Sequence, residues 1–280
     1  MQHNNFTITL GNKKFDFSQR PHIMGILNVT PDSFSDGGKY VDVNTAVSYA
    51  LQMLKEGADI IDIGGESTRP GAKKISVEEE LQRVIPVIEK LTSIIECCIS
   101  IDTYKSKVAD ESLNAGASIV NDISGLQFDS AMAEIVAKYD AAVVLMHIQG
   151  TPETMQKNPT YNNIIEEIKN YLQKSIEIAH TKKINKIILD VGIGFGKTLE
   201  HNLQLLKNLK EFQKLNYPLL VGVSRKNFIG TLLNLPVEER LEGTAAAVAV
   251  SIMNGANIIR VHDVKEMKRV ATIVNAIQQS

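Results

Sequence analysis

The chain of 280 residues sets 30 Lys and Arg against 32 Asp and Glu, a net charge of −2, with the signs interspersed and no basic block, so nucleic acid is not an expected partner. Its 44% hydrophobic content supplies a sizeable core, yet no run approaches the ~18 apolar residues that span a membrane, and no membrane partner is expected. Residues 1–20 are polar and lack the apolar stretch of a signal peptide; the only cysteines, the neighbours Cys97 and Cys98, read as core or near-core residues and fit a reducing, cytoplasmic compartment.

In chain order, Phe6–Phe17 reads as a small β-hairpin turning at Gly11-Asn12-Lys13, placed to cap the bottom of the domain. Eight short runs rich in Ile and Val come next: His22–Val29, Ile60–Gly65, Ile99–Thr103, Ile119–Ile123, Ala142–His147, Ile187–Val191, Leu219–Ser224 and Ile258–His262. Being apolar at nearly every position, they suit parallel strands buried on both faces. Amphipathic stretches alternate with them: Asn44–Glu56, Val77–Ile95, Ser106–Ala115, Ser130–Tyr139, Tyr161–Lys182, Glu200–Lys214, Glu238–Asn254 and Val264–Gln278. Gly57-Ala58, Gly116-Ala117 and Gly255-Ala256 sit where helices should end, because glycine accepts the left-handed cap that turns a helix back into a sheet. Eight β-α units predict an α/β fold, a (β/α)8 TIM barrel with the N-terminal hairpin, as one domain over residues 1–280. An open doubly wound sheet is the competing architecture, and its nucleotide fingerprint is missing.

In such a barrel the reacting groups lie at the C-terminal ends of the strands. Those ends carry Asn28, then Glu66 through Gly71, Asp102, Asn121 and Asp122, His147, Asp190, Ser224-Arg225-Lys226, and Arg260, His262 and Asp263. A single buried acid is commonly tied to loop backbone, but a set this polar is costly unless it is paired or used. Arg260 and His262 lie two apart on one strand and share a face, a cation pair that suits an anion; a salt bridge from Arg260 to Asp263 or to a helix acid is the competing role. Asp190, Asn121 and Lys226 together match the amidine-like 2-amino/N3-H edge of a pterin, the carboxylate taking two parallel N–H bonds. Gly192 through Thr198 fails the P-loop pattern at Val191 and the dinucleotide pattern at Lys197, so it reads as a strand-end loop in which Phe195 offers either a stacking face or core packing. Zinc and serine hydrolase signatures are absent.

Eight stretches resemble, in order, the signatures of the dihydropteroate synthase family: NVTPDSFSDGG at 28–38, GADIIDIGGESTRPGA at 57–72, SIDTYKS at 100–106, VNDISG at 120–125, MHIQGTPETMQ at 146–156, ILDVGIGFGKT at 188–198, GVSRKNFIG at 222–230 and RVHDV at 260–264. The resemblance implies a homodimeric (β/α)8 barrel that joins p-aminobenzoate to 6-hydroxymethyl-7,8-dihydropterin pyrophosphate with Mg²⁺. It implies a pterin pocket of Asp102, Asn121, Met146, Asp190, Gly222 and Lys226. Asn28, Thr68, Arg260 and His262 are expected to hold the pyrophosphate, with Asn28 as the Mg²⁺ ligand. Phe34, Thr68, Arg69, Pro70, Phe195, Lys226 and Asn227 are expected around p-aminobenzoate, and Asp102, Lys226, Arg260 and His262 are the expected catalytic set. Three positions depart from the family pattern: Val191 for Pro, Ile148 for Met, and Asn227 for the Ser that follows the Arg-Lys pair. The last leaves affinity for aminobenzoate and for sulfonamides open.

The expected chemistry is electrostatic, since loss of pyrophosphate leaves positive charge on the pterin's exocyclic carbon and the arylamine needs positioning rather than a strong base. A pterin-dependent methyltransferase barrel would share the pocket without needing the Asn28 loop, the Arg69-Pro70 loop or the Arg260/His262 pair. A non-catalytic pterin-binding protein is the alternative from another class, and it has no reason to keep a leaving-group site.

Overall fold

The structure is a computed structural model that describes residues 6–30, 42–68 and 71–280. Two strands, β1 (Thr7–Leu10) and β2 (Lys13–Asp16), pair antiparallel around Gly11-Asn12 as a separate hairpin. Eight parallel strands come next and close on themselves: β3 (His22–Asn28), β4 (Ile60–Gly64), β5 (Cys98–Asp102), β6 (Ile119–Asp122), β7 (Ala142–Met146), β8 (Ile187–Asp190), β9 (Leu219–Val221) and β10 (Ile258–Val261), with β10 bonded to β3. Closure excludes the open doubly wound alternative. The helices between them are α1 (Val43–Glu56), α2 (Val77–Ile94), α3 (Ser106–Asn114), α4 (Met132–Lys138), α5 (Ile164–Thr181), α6 (Leu199–Lys207), α7 (Asn227–Leu233), α8 (Leu241–Met253) and α9 (Val264–Gln279).

The elements match the predicted runs to within a few residues, apart from three places. The predicted helix 200–214 is α6 followed by a 3-10 segment, Leu209–Leu215, and α8 begins three residues later than expected, after a short 3-10 turn at Val237–Glu239. A seven-residue helix, α7, follows β9 where no separate helix was expected. The strand before it ends early at Val221, because Lys226 N–H bonds back to Val223 O (3.2 Å) and Arg225 takes a left-handed φ of 55°. The three Gly-Ala pairs behave alike. Gly57, Gly116 and Gly255 have φ near 108°, 112° and 99°, and each pair donates its two N–H groups to the last turn of the helix before it.

Strand alternation separates two layers of packing. Ile23, Leu27, Ile61, Ile63, Ile99, Ile101, Val143, Leu145 and Leu189 point outward into the shell of helices. Met24, Ile60, Cys98, Ile119, Val144, Ile188, Leu220 and Ile258 fill the barrel, together with Leu10, Phe15 and Phe17 of the hairpin, which therefore plugs the N-terminal end as predicted. Cys97 and Cys98 are both free, the first half-buried and the second buried. No helix among the described residues is long and apolar enough to cross a membrane.

Candidate active site

The inward parity that places Ile60, Ile188 and Ile258 in the barrel interior places Asp62, Asp190 and Arg260 one layer above them, at the C-terminal mouth. With the same inward parity, and two residues beyond Asp62 on its strand, Gly64 is level with Asn28 and with Asp102, and Asp102 with Asn121. A methyl group at Gly64 would touch both the Asn28 amide oxygen (3.8 Å) and Asp102 (3.5 Å), so glycine there leaves the space between them open.

Arg260 is the hub. Its Nε donates to Asp62 Oδ2 at 2.6 Å and its Nη2 to Asp102 Oδ2 at 2.6 Å. Asn121 Nδ2 donates to the same Asp62 oxygen at 3.0 Å. The competing role of Arg260, an internal salt bridge, takes the form of pairs with strand acids rather than with Asp263; Asp263 instead takes Arg225 through two guanidinium nitrogens, locking the turn that projects Lys226. Asp62, fully buried, was missed in the sequence because it stood inside an apolar strand; its parity with Gly64 and the cost of an acid in such a run were the available signals. Each of the two acids keeps one buried oxygen, Asp62 Oδ1 and Asp102 Oδ1, without a hydrogen-bond partner.

These neighbours perturb one another. Burial, with the nearby Asp62 charge, pushes Asp102 up to about 7 even though Arg260 pulls the other way. Burial also raises Asp190, against the bond it accepts from Gly192 N–H (2.7 Å) and the attraction of Lys226. Lys226 is lowered to about 8, by burial first and then by Arg260. Its ammonium lies 4.2 Å from the centre of the Phe195 ring, so Phe195 presents a face to the mouth and also lies against the cluster of Ile123, Met146, Ile148 and Met155. His262 meets Ser224 Oγ through Nδ1 (3.0 Å), and Gly222 faces the Arg260 side chain. Asn227 is exposed at the first turn of α7, and Thr68 is half-buried at the edge of the described chain. Phe34, Arg69 and Pro70 lie outside the described residues.

Other strand-end groups turn to structure. Asp122 accepts from Ser124 N–H, Ser124 Oγ and Leu126 N–H, which shapes its own loop. Glu66 takes Tyr104, Lys105 and Ile75 N–H, while Lys105 also reaches buried Glu80. A cavity of about 490 Å³ at the opposite, N-terminal end is lined by Lys13, Lys14, Arg20, His22 and Asp59 among others and holds none of the strand-end residues.

A family model described as pterin binding enzyme matches residues 24–262. The dihydropteroate synthase of Clostridium beijerinckii is 49% identical over 271 residues, covering 96% of this chain and 98% of its own. The chain belongs to the dihydropteroate synthase family. Among solved members of that family, a Yersinia pestis dihydropteroate synthase in a sulfonamide drug complex superposes with a TM-score of 0.93 at 47% identity, covering 98% of this chain and all of the other. A Xanthomonas albilineans dihydropteroate synthase with 4-aminobenzoic acid superposes with a TM-score of 0.92 at 39% identity, covering 99% of both chains. In this chain Asp62 and Asp102 meet Arg260 in the same barrel mouth that holds Asp190 and Lys226.

Proposed function

We propose that this chain condenses 6-hydroxymethyl-7,8-dihydropterin pyrophosphate with p-aminobenzoate, releasing pyrophosphate and forming 7,8-dihydropteroate. The observation that carries the reading is the charged layer itself: Arg260 braced between Asp62 and Asp102, with Asn121, Asp190 and Lys226 on the same mouth. Asp190 and Asn121 suit the pterin's amidine-like edge, and Lys226 suits its ring acceptors. Met146 and Gly222 border the same space.

As the carbon–oxygen bond to pyrophosphate breaks, positive charge appears on the pterin, and the Asp102 and Asp62 carboxylates are placed to offset it. Two of the five N–H groups of Arg260 are committed to those acids, which leaves others, with His262, Asn28 and Thr68, for the departing phosphates. The Phe195 ring beside Lys226, with Asn227 at the rim, forms the side from which the arylamine attacks; Phe34, Arg69 and Pro70 complete it in this reading. Asn28 offers one neutral oxygen beside Asp102, which fits Mg²⁺, an ion that takes few protein ligands and completes its shell with phosphate oxygens and water. When bound there it would neutralise charge on the leaving group.

We assign the active form as a homodimer. Val250 and Met253 on α8, Ile273 and Ile277 on α9 and Leu232 and Leu233 on α7 are all exposed, on neighbouring helices of one side of the barrel. A cytoplasmic setting suits the two free thiols. The decisive experiment measures pyrophosphate release by purified protein given the pterin pyrophosphate, with and without p-aminobenzoate and Mg²⁺. Release coupled to dihydropteroate formation supports the reading. Pterin binding without release at any aminobenzoate concentration refutes it.

A further inference from the structure

Lys197 is the most deeply buried lysine among the described residues, at 3% exposure, and no step of the proposed reaction uses it. It follows the loop that carries Phe195. That loop is Gly192 through Gly196, and its three glycines all have positive φ, between 65° and 83°. It is seated closely on the segment after β7. A side chain at Gly192 would stand 1.9 Å from His147 O, and one at Gly196 would stand 2.6 Å from Gln149 O. Carbonyls of the loop are taken by side chains: Gly194 O by Gln156, Gly196 O by Tyr161 and Phe195 O by Lys197 at 2.9 Å. The second partner of Lys197 is His147 Nδ1, also at 2.9 Å.

Two partners are what a neutral amine can satisfy as a donor; an ammonium would have a third N–H to place. The titratable groups around Lys197 are His147, Asp190, Lys226 and, farther out, His201, and burial together with the Lys226 charge holds the amine well below its ordinary range against the pull of Asp190. His147 is itself kept neutral by burial, with the Tyr171 ring edge-on at 4.8 Å. We infer that Lys197 is a positioning residue: as an uncharged donor it ties the Phe195 carbonyl to His147 Nδ1, and so fixes the Phe195 ring beside Lys226, where it sets the affinity for the arylamine substrate. This inference rests on the arylamine role proposed for Phe195.

The substitutions Lys197→Gln, Lys197→Met and Lys197→Arg separate a neutral donor from a charge. Gln keeps two N–H donors, Met keeps only bulk, and Arg cannot lose its charge. Steady-state kinetics on the full chain is expected to show KM for p-aminobenzoate rising about tenfold in Lys197→Met, with KM for the pterin pyrophosphate within about twofold. Gln is expected to retain most of the affinity and Arg to be the worst of the three. Nitrogen-15 NMR of the unaltered protein is expected to show His147 with Nδ1 unprotonated and Nε2 protonated, a readout that needs no variant to fold. An Arg variant like wild type, equal changes in both KM values, or a protonated Nδ1 overturns the inference. Phe195→Ala is the reference. If it raises KM for aminobenzoate while Lys197→Met does not, the tie is refuted and the site reading stands. If Phe195→Ala leaves that KM unchanged, the ring's role fails and takes the inference with it.

Discussion

Replacing Asp62 by Asn isolates the electrostatics of the mouth, because the side chain keeps its shape and loses its charge. Asp62 is fully buried and shares Arg260 with Asp102, each acid 2.6 Å from a different guanidinium nitrogen. Two carboxylates bridged by one guanidinium lie roughly 6 Å apart, where a unit-charge pair is worth about 3 kcal/mol at an effective dielectric of 20, or about two pH units. Removing the Asp62 charge takes away that repulsion and leaves Arg260 to Asp102 alone. The Asp102 carboxyl, now near 7, should therefore fall by one to two units. If ionised Asp102 is what the reaction needs, the acid limb of kcat/KM against pH moves down by the same amount in Asp62→Asn. The pterin should also bind more weakly, by about tenfold, since Asn121, a proposed pterin contact, keeps only a neutral bond to position 62 in place of a charge-assisted one. A pH profile from pH 5 to 9, with isothermal titration of the pterin substrate, reads both quantities. An acid limb that stays in place or moves up would refute the coupling of these acids through Arg260.

Three further outcomes are expected. Lys226 titrates near 8, so a reaction that needs its ammonium loses kcat/KM as pH rises through that value, and Lys226→Arg, which cannot deprotonate, extends the plateau by more than one unit in the same profile. Gly192→Ala would put a methyl group 1.9 Å from a backbone oxygen at a φ of 68°, so it should destabilise by about 2–4 kcal/mol, visible as a lower denaturation midpoint in urea. Met253→Glu on the exposed side of α8 should shift sedimentation from dimer toward monomer without changing far-ultraviolet circular dichroism, and an unchanged sedimentation coefficient would refute the assigned interface.

Much of the architecture was legible because its signals are local. Apolar runs of five to eight residues and Gly-Ala pairs after helices mark strands and caps wherever they occur, and the closed sheet honours both. What was hidden depends on partners distant in the chain. Asp122 and Asp102 look alike at strand ends, yet one bonds to its own loop and the other to Arg260, 158 residues away. Asp62 passed unremarked inside an apolar run, and its role rests on Arg260 and Asn121, both far along the chain. The helix α7 was obscured because β9 stops at Val221 and the turn is held from outside by Asp263, Thr244 and Arg240.

The layered filling of the barrel has a mechanical consequence. Ile60, Ile188 and Ile258 stand two residues below Asp62, Asp190 and Arg260, a rise of only about 7 Å along each strand, and the hairpin rings of Phe15 and Phe17 close the stack beneath them. Only buried, mutually packed side chains lie between plug and charges. A hairpin substitution far from any substrate, such as Phe17→Ala, would thus reach the mouth as a small tilt of several strands at once, and it would register as an impaired catalyst before it registered as an unfolded one.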